Sequence, residues 1–223
     1  MIVIATPHKR YDCLERVLEA EGIEHVRIRS LDDLAPAQLK RLNPRYVFFP
    51  HWSWKIPAEI HENFECVIFH MTDLPFGRGG SPLQNLIVQG FHETRVSALR
   101  CVTEMDAGPV YMKEPLSLLG TAEEILMRAT TLMSMMMLDI IRKNPVPAQQ
   151  EGEATLFKRR RPEDGNIATL NELERIFDFI RMLDGDGYPS AYIETDSFRF
   201  EFSRASLKPG EIRADVRIVR KPA

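Results

Sequence analysis

The chain has 223 residues, a formal net charge of -3 and three cysteines, Cys13, Cys66 and Cys101. That length suits one ordinary domain with room for a small appendage, and it can bury a core without covalent staples. The charge gives no overall pull toward nucleic acid or acidic membrane, and neither a CxxC pair nor a His/Cys cluster at metal spacing is present.

The chain opens with apolar residues followed by basic ones, MIVIATPHKR, which reads as a strand rather than a secretory leader. No apolar run approaches membrane-spanning length. Cys66 and Cys101 sit inside apolar runs and read as plain buried thiols, so a cytoplasmic location is expected. Residues 2–5 read as a strand. Residues 11–21 have helical spacing at Leu14, Val17 and Leu18, and Gly22 ends that helix. Residues 25–28 are the next strand, 35–42 a short helix stopped by Asn43 and Pro44, and 46–49 a third buried strand ended by Pro50. This alternation implies parallel strands with right-handed crossovers. No GxGxxG follows the first strand, so the dinucleotide fingerprint is absent.

His51, Trp52, Ser53 and Trp54 follow the third strand. They read either as a loop capping the core with aromatic rings or as the wall of a pocket for a flat ligand, and the two are compatible. A helical turn over 57–63 leads into the run 66–69, a buried strand with His70 at its C-terminal tip. Leu74 and Pro75 follow, then a glycine-rich turn, Gly77-Arg78-Gly79-Gly80. Ser81 reads as an N-cap and Pro82 as the first helical residue. Ligands of open α/β sheets bind beyond strand C-termini, so a site is expected where a flexible loop and a helix start face His70.

Residues 97–102 read as a strand, and Asp106-Ala107-Gly108 as a turn between two strands. Thr121 and Glu124 form a capping box that opens a long helix to about residue 143. Met133, Met135, Met136 and Met137 within it read as core filling. Asn144 and Pro145 begin a linker that carries Lys158, Arg159, Arg160 and Arg161, read as a solvated charge run or as a phosphate clamp. Residues 170–183 give another amphipathic helix, and 191–194, 198–202 and 212–219 read as three short strands. The expected fold is α/β, with a Rossmann-like, mostly parallel sheet and flanking helices, plus a small C-terminal helix and antiparallel strands. A catalytic domain over 1–150 and a linker with a small subdomain over 151–223 are expected.

A histidine at a strand tip can act as a general base, and it then wants a carboxylate partner, for which Asp106 is the candidate. There is no GxSxG elbow and no P-loop, so neither a serine nucleophile nor a nucleotide cradle is signalled. Composition and spacing alone leave two readings, an α/β enzyme with a His-centred site and a structural histidine.

His70-Met71-Thr72-Asp73-Leu74-Pro75, then Arg78-Gly79, Pro82, Gly90 and Asp106-Ala107-Gly108, resemble the signature of the folate-dependent formyltransferases. That pattern runs roughly N-x-H-x-S-L-L-P-x-x-R-G, then P, then D-x-G. The His and Asp match in identity, order and approximate separation. The leading Asn falls at Ile68, where the pattern breaks; Thr72 stands for the Ser and Asp73 for the first Leu. The stretch from Ser53 to Pro57 resembles the family loop on which the pterin end of the folate packs. Arg160-Arg161-Pro162-Glu163-Asp164 and Tyr188-Pro189-Ser190-Ala191-Tyr192 resemble the tail of sugar-modifying members.

The resemblance implies transfer of a formyl group from N10-formyltetrahydrofolate, the co-substrate, to a primary amine. It implies His70 and Asp106 as the catalytic pair, with Thr72, Asn85, a backbone N–H or water in place of the missing Asn. It implies folate contacts at Ser53, Trp54, Lys55, Ile56, Arg78, Gly79, Glu104 and Asp106, and acceptor contacts at His8, Lys9, Met71, Thr72, Asp73 and Arg159. HWSW with FHMTDLPFGRGGSPLQNL looks most like the short enzymes that formylate a 4-amino sugar nucleotide in pseudaminic-acid-type pathways. The expected partners are therefore a sugar nucleotide and folate, with no nucleic acid, no membrane, no metal and a homodimer. Methionyl-tRNA formyltransferases, or a non-catalytic binding member, are the alternatives.

Overall fold

A computed structural model describes residues 1–221. Its contacts divide the chain into two compact units. The first comprises Met1–Gly79, Thr94–Leu116 and Met127–Leu156; the second comprises Gly80–Glu93, Ser117–Leu126 and Phe157–Ala223, of which 157–221 are described.

The first unit is built on β1 (Ile2–Ala5), α1 (Asp12–Ala20), β2 (His25–Ile28), α2 (Pro36–Leu42), β3 (Tyr46–Pro50), α3 (Ala58–His61) and β4 (Cys66–His70). The short pair β5 (Arg78–Gly79) comes next, before α4 (Pro82–Val88) of the second unit, then β6 (Glu93–Arg100) and β7 (Val110–Ser117). The sheet order is β2-β1-β3-β4-β6-β7. β1 pairs parallel with β2 and β3, β3 pairs parallel with β4, and β6 runs antiparallel to β4. The sheet is thus mostly parallel, as the alternation of elements implies.

β1, β3 and β4 form because each is a short apolar run that can be covered on both faces, while β2, with His25 and Arg27, pairs at the edge. Val3, Ala5, Val47, Phe49 and Cys66 point to one face, where Ile28, Leu34, Leu39, Ile56, Ile60 and Cys101 join them in one buried cluster. On the other face Tyr46, Phe48 and Phe69 stack in a row. α2 stops at Asn43, whose left-handed backbone closes the helix by a bond from its N–H to the Leu39 carbonyl.

The long helix α5 (Ala122–Lys143) starts on the expected capping box: Thr121 N–H donates to Glu124 Oε2 at 2.7 Å, and Glu124 N–H donates back to Thr121 Oγ1 at 3.3 Å. Met133, Met136 and Met137 are buried, but Met135 is 52% exposed, so the methionine run is core filling at three positions and surface at the fourth. Met133, Met136 and Met137 stand at i, i+3 and i+4 and share one helix face, while Met135 falls outside it.

The second unit holds α4, α6 (Leu173–Leu183) and an antiparallel sheet, β9 (Ala191–Glu194), β10 (Phe198–Lys208) and β11 (Glu211–Arg220), in the order β11-β10-β9; β8 (Leu156–Phe157) precedes them. β10 and β11 are longer than the short strands expected. Their alternating charges extend the pairing: Glu201 lies opposite Arg217 across the ladder. Ser81 sits at the N-cap position of α4 but does not cap it with its side chain; it has φ 51°. Its hydroxyl instead accepts the Arg160 N–H at 3.0 Å. The charge run divides as well. Arg160 stacks over Phe179 and donates to the Asp164 carbonyl, and the Arg161 backbone N–H donates to Asp164 Oδ2 at 2.8 Å, while the side chains of Lys158, Arg159 and Arg161 are exposed. Among the described residues no helix is long and apolar enough to cross a membrane.

Candidate active site at the tip of the central strand

His70 ends β4 with its side chain 8% exposed. Its Nε2 lies 2.8 Å from the Gly77 carbonyl and its Nδ1 3.6 Å from Asp106 Oδ2. A carbonyl can only accept, so Nε2 carries the hydrogen and Nδ1 is the nitrogen left to take a proton. Once Nδ1 is protonated, both ring nitrogens face acceptors. Asp106 is 11% exposed, and the same oxygen accepts the Gly79 N–H at 2.9 Å, which fixes the carboxylate beside the ring.

The backbone that delivers Asp106 is specialised. Asp106 is left-handed at φ 53°, a region Asp tolerates better than most residues. At Gly108 a Cβ would lie 1.9 Å from the Arg100 carbonyl oxygen, so the D-x-G turn admits only glycine there. Gln150 Nε2 donates to the carbonyls of Asp106 and Gly108, both at 2.8 Å, and holds the turn from outside. Gln150 Oε1 in turn accepts from Arg78 Nε and a terminal nitrogen at 3.1 and 2.9 Å, while the other terminal nitrogen meets Glu104 at 3.3 Å.

The loop after β4, which contains a cis Leu74-Pro75 bond, is pinned rather than flexible. Ser97 Oγ donates to the Thr72 carbonyl at 2.7 Å, and Gly77 N–H donates to Thr155 Oγ1 at 2.7 Å. Arg78 N–H donates to the Thr155 carbonyl, so the glycine-rich stretch is held as a short strand.

His70, Thr72, Arg78, Gly79, Glu104 and Asp106 are thus brought into one network, whereas Asp73 pairs with Lys113 and Arg95. Thr72 is fully buried, and its hydroxyl donates to the Gly77 carbonyl at 3.4 Å. Met71 is buried beside it in sequence. Asn85, in the second unit, spends its amide on the carbonyls of Gly80 and Lys158, at 3.0 and 2.9 Å. Arg159 also belongs to that unit. Ile68 is half-buried against the core cluster, so no hydrogen-bond donor occupies the position of the family Asn.

At the tip of β3, Ser53, Trp54 and Lys55 are exposed, Trp54 at 42%, whereas Ile56 is buried in the core cluster. Trp52 packs edge-on against both Phe49 and Trp54. His51 precedes them at φ 55°, with the His8 ring 4.5 Å away and the Tyr11 hydroxyl 3.2 Å from its Nδ1. Burial, then His8 and Arg10, push the His51 ring down to about 4. Lys9 is exposed. Burial, then Asp106, holds the Cys101 thiol up at about 11, and Cys66 is raised further, first by burial and then by Cys101. Neither thiol is a nucleophile at neutral pH. No group of His, Cys, Asp and Glu that could hold a metal occurs among the described residues.

Gln150, Thr155 and Lys113 are the members that spacing does not reveal. They lie 40 to 78 residues from the loop and turn they hold, in segments that read only as linker or strand. The second unit has a concavity of its own, an apolar cavity of about 350 Å³ lined by Ile167, Leu170, Ile180, Phe202, Ile212 and Val216. It carries no group for chemistry.

The solved structure of a methionyl-tRNA formyltransferase from Clostridium thermocellum is 49% identical to this chain over 99% of each, with a TM-score of 0.96. The chain belongs to the formyltransferase family. A family model described as the methionyl-tRNA formyltransferase C-terminal domain matches residues 162–219 of this formyltransferase. A methionyl-tRNA formyltransferase from Thermodesulfovibrio yellowstonii is 28% identical over 67% of the chain and 51% of its own length. The chain spans about half the length of the curated relatives it matches. A sugar N-formyltransferase from a Shewanella species shares the fold at 15% identity, with a TM-score of 0.66 over 87% of this chain and 92% of its own.

These likenesses overturn the sugar-nucleotide acceptor, and with it the amino-sugar and pseudaminic-acid assignment and the exclusion of nucleic acid. Two physical reasons explain the error. The motif that carries the resemblance is common to formyltransferases whatever amine they act on, so it cannot choose among acceptor classes. A net charge of -3 is a sum over the chain, and binding of nucleic acid depends on where the cations lie.

Proposed function

We propose that this formyltransferase transfers a formyl group from N10-formyltetrahydrofolate to the amine of methionyl-tRNA in the cytoplasm. The observation that carries the reading is the 49% identity over 99% of both chains with a methionyl-tRNA formyltransferase. The co-substrate supplies the formyl carbon. The exposed Trp54 ring at the β3 tip, with Trp52 edge-on against it, offers an aromatic face to its ring system, with Ser53 and Lys55 exposed beside it.

The amine must be neutral to attack, and its nitrogen must then lose a proton as the new bond forms. His70 accepts that proton on Nδ1, because Nε2 is held in the donor role by the Gly77 carbonyl. Asp106 then receives the new N–H and stabilises the imidazolium. Thr72 and Asn85 both give their hydrogens to backbone carbonyls, which argues against either as the substitute for the family Asn. Both N–H groups of the His70 imidazolium face acceptors as well, so the reading leaves the hydrogen bond to the formyl oxygen to a backbone N–H or water, and the imidazolium contributes through its charge alone. Lys158, Arg159 and Arg161, the exposed members of the basic run, suit phosphate contact.

The test is a formylation assay with methionyl-tRNA and nucleotide-linked amino sugars side by side, using the same formyl donor. Formylmethionyl-tRNA as the product supports the reading. Formyl transfer to the sugars alone would overturn it.

A further inference from the structure

We infer that Lys113 is a positioning residue: from β7 it holds the loop after β4 where the Gly77 carbonyl fixes the His70 ring. Lys113 Nζ donates to Asp73 Oδ1 at 2.5 Å and also to the Leu74 carbonyl. One ammonium thus grips a side chain and the backbone of two successive loop residues. Arg95 Nε lies 3.5 Å from the other Asp73 oxygen and orients that carboxylate. The Asp73 carbonyl in turn accepts the Phe76 N–H at 3.1 Å, which ties the gripped end of the loop to the residue before Gly77.

The loop is attached at its start, its middle and its end, and the attachments differ in kind. Ser97 holds its start through the Thr72 carbonyl, and Thr155 holds its end through the Gly77 N–H. Lys113 holds the middle at Asp73 and Leu74, and the Thr155 N–H donates to the next carbonyl, that of Pro75, at 3.3 Å. Asp73 is 52% exposed and Lys113 29%, so the ion pair itself adds little to global stability. Its effect lies in where the following residues sit. If the middle of the loop is released, the Gly77 carbonyl no longer lies in line with Nε2. The neutral ring can then place its hydrogen on either nitrogen. Molecules with the hydrogen on Nδ1 cannot accept a proton there. Turnover falls with the population of the wrong tautomer, while binding of donor and acceptor changes little.

The inference rests on His70 as proton acceptor, so the test has an arm that needs no turnover. With 15N-labelled histidine, the His70 ring in the native protein shows the hydrogen on Nε2. In Lys113→Met the two ring nitrogens move toward equal occupancy, and kcat falls about 10- to 100-fold with KM little changed, the scale of a small misplacement at a reacting centre. Lys113→Arg restores most of both signals. Asp73→Asn, which keeps the shape of the loop and removes the charge partner, gives the same direction of change if Lys113→Met does not fold. An unchanged tautomer, or an unchanged kcat, in a folded variant overturns the inference. Should the native protein form no formyl product on any acceptor, the proposed function fails, and the tautomer measurement alone decides the positioning role.

Discussion

Two histidines occupy matching positions at the tips of neighbouring parallel strands, His51 after β3 and His70 at the end of β4, since Pro50 pairs with Phe69. Their surroundings give them opposite chemistry. His70 has a carbonyl at one nitrogen and a carboxylate at the other, so the ring can take a proton and be stabilised in the charged form. His51 has a phenol at Nδ1, a second imidazole and the cation of Arg10 nearby, and burial with these neighbours pushes it down to about 4. A strand tip supplies only a position. The partners decide whether an imidazole there is a base or a neutral packing group.

The largest expected effect comes from removing the partner that separates the two. Asp106→Asn keeps the shape of the turn and removes the negative charge beside His70. Loss of a general acid–base partner lowers rates by about 100- to 10,000-fold, and we expect kcat to fall within that range with little change in KM. Steady-state formylation by the folded variant checks this. A kcat within a few-fold of the native value would show that His70 works without the carboxylate, and the contrast with His51 would lose half its basis.

A smaller effect is expected from acid. His51 has a folded value of about 4 against the ordinary 6.5, so above pH 6.5 it is neutral folded and unfolded and costs nothing. Between pH 6.5 and about 4 the unfolded chain binds a proton that the folded chain refuses, and stability falls as pH falls. Below about 4 this contribution stops changing. His51→Gln removes it. Denaturant midpoints at pH 7 and pH 5 should therefore differ less in the variant than in the native protein. Equal differences in both would mean that His51 titrates normally.

The sequence announces the scaffold where local pattern is enough. β1 and the core of β3 and β4 fall where short apolar runs lie between turn residues, because a strand buried on both faces needs nothing else. The start of β6 was hidden, since Glu93, Thr94 and Arg95 look like loop and become strand only by pairing. The lengths of β10 and β11 were hidden for a related reason: cross-strand pairs such as Glu201 with Arg217 are invisible along one strand. His70 and Asp106 were legible as a motif. Gln150, Thr155 and Lys113 were not, since a hydrogen bond to a partner many tens of residues away leaves no spacing to read. His51 was legible only as part of an aromatic loop; its depressed proton affinity comes first from burial and then from His8 and Arg10, all of which only the fold supplies.

The central claim is that the proton leaves the amine to His70 and not to its neighbour. Single-turnover formylation of methionyl-tRNA by His70→Ala and His51→Ala, measured side by side at saturating donor, tests it most directly. The account predicts a loss of at least about 100-fold for His70→Ala and a far smaller one for His51→Ala. Folded His70→Ala protein with a near-native rate, or a larger loss at His51, would contradict it.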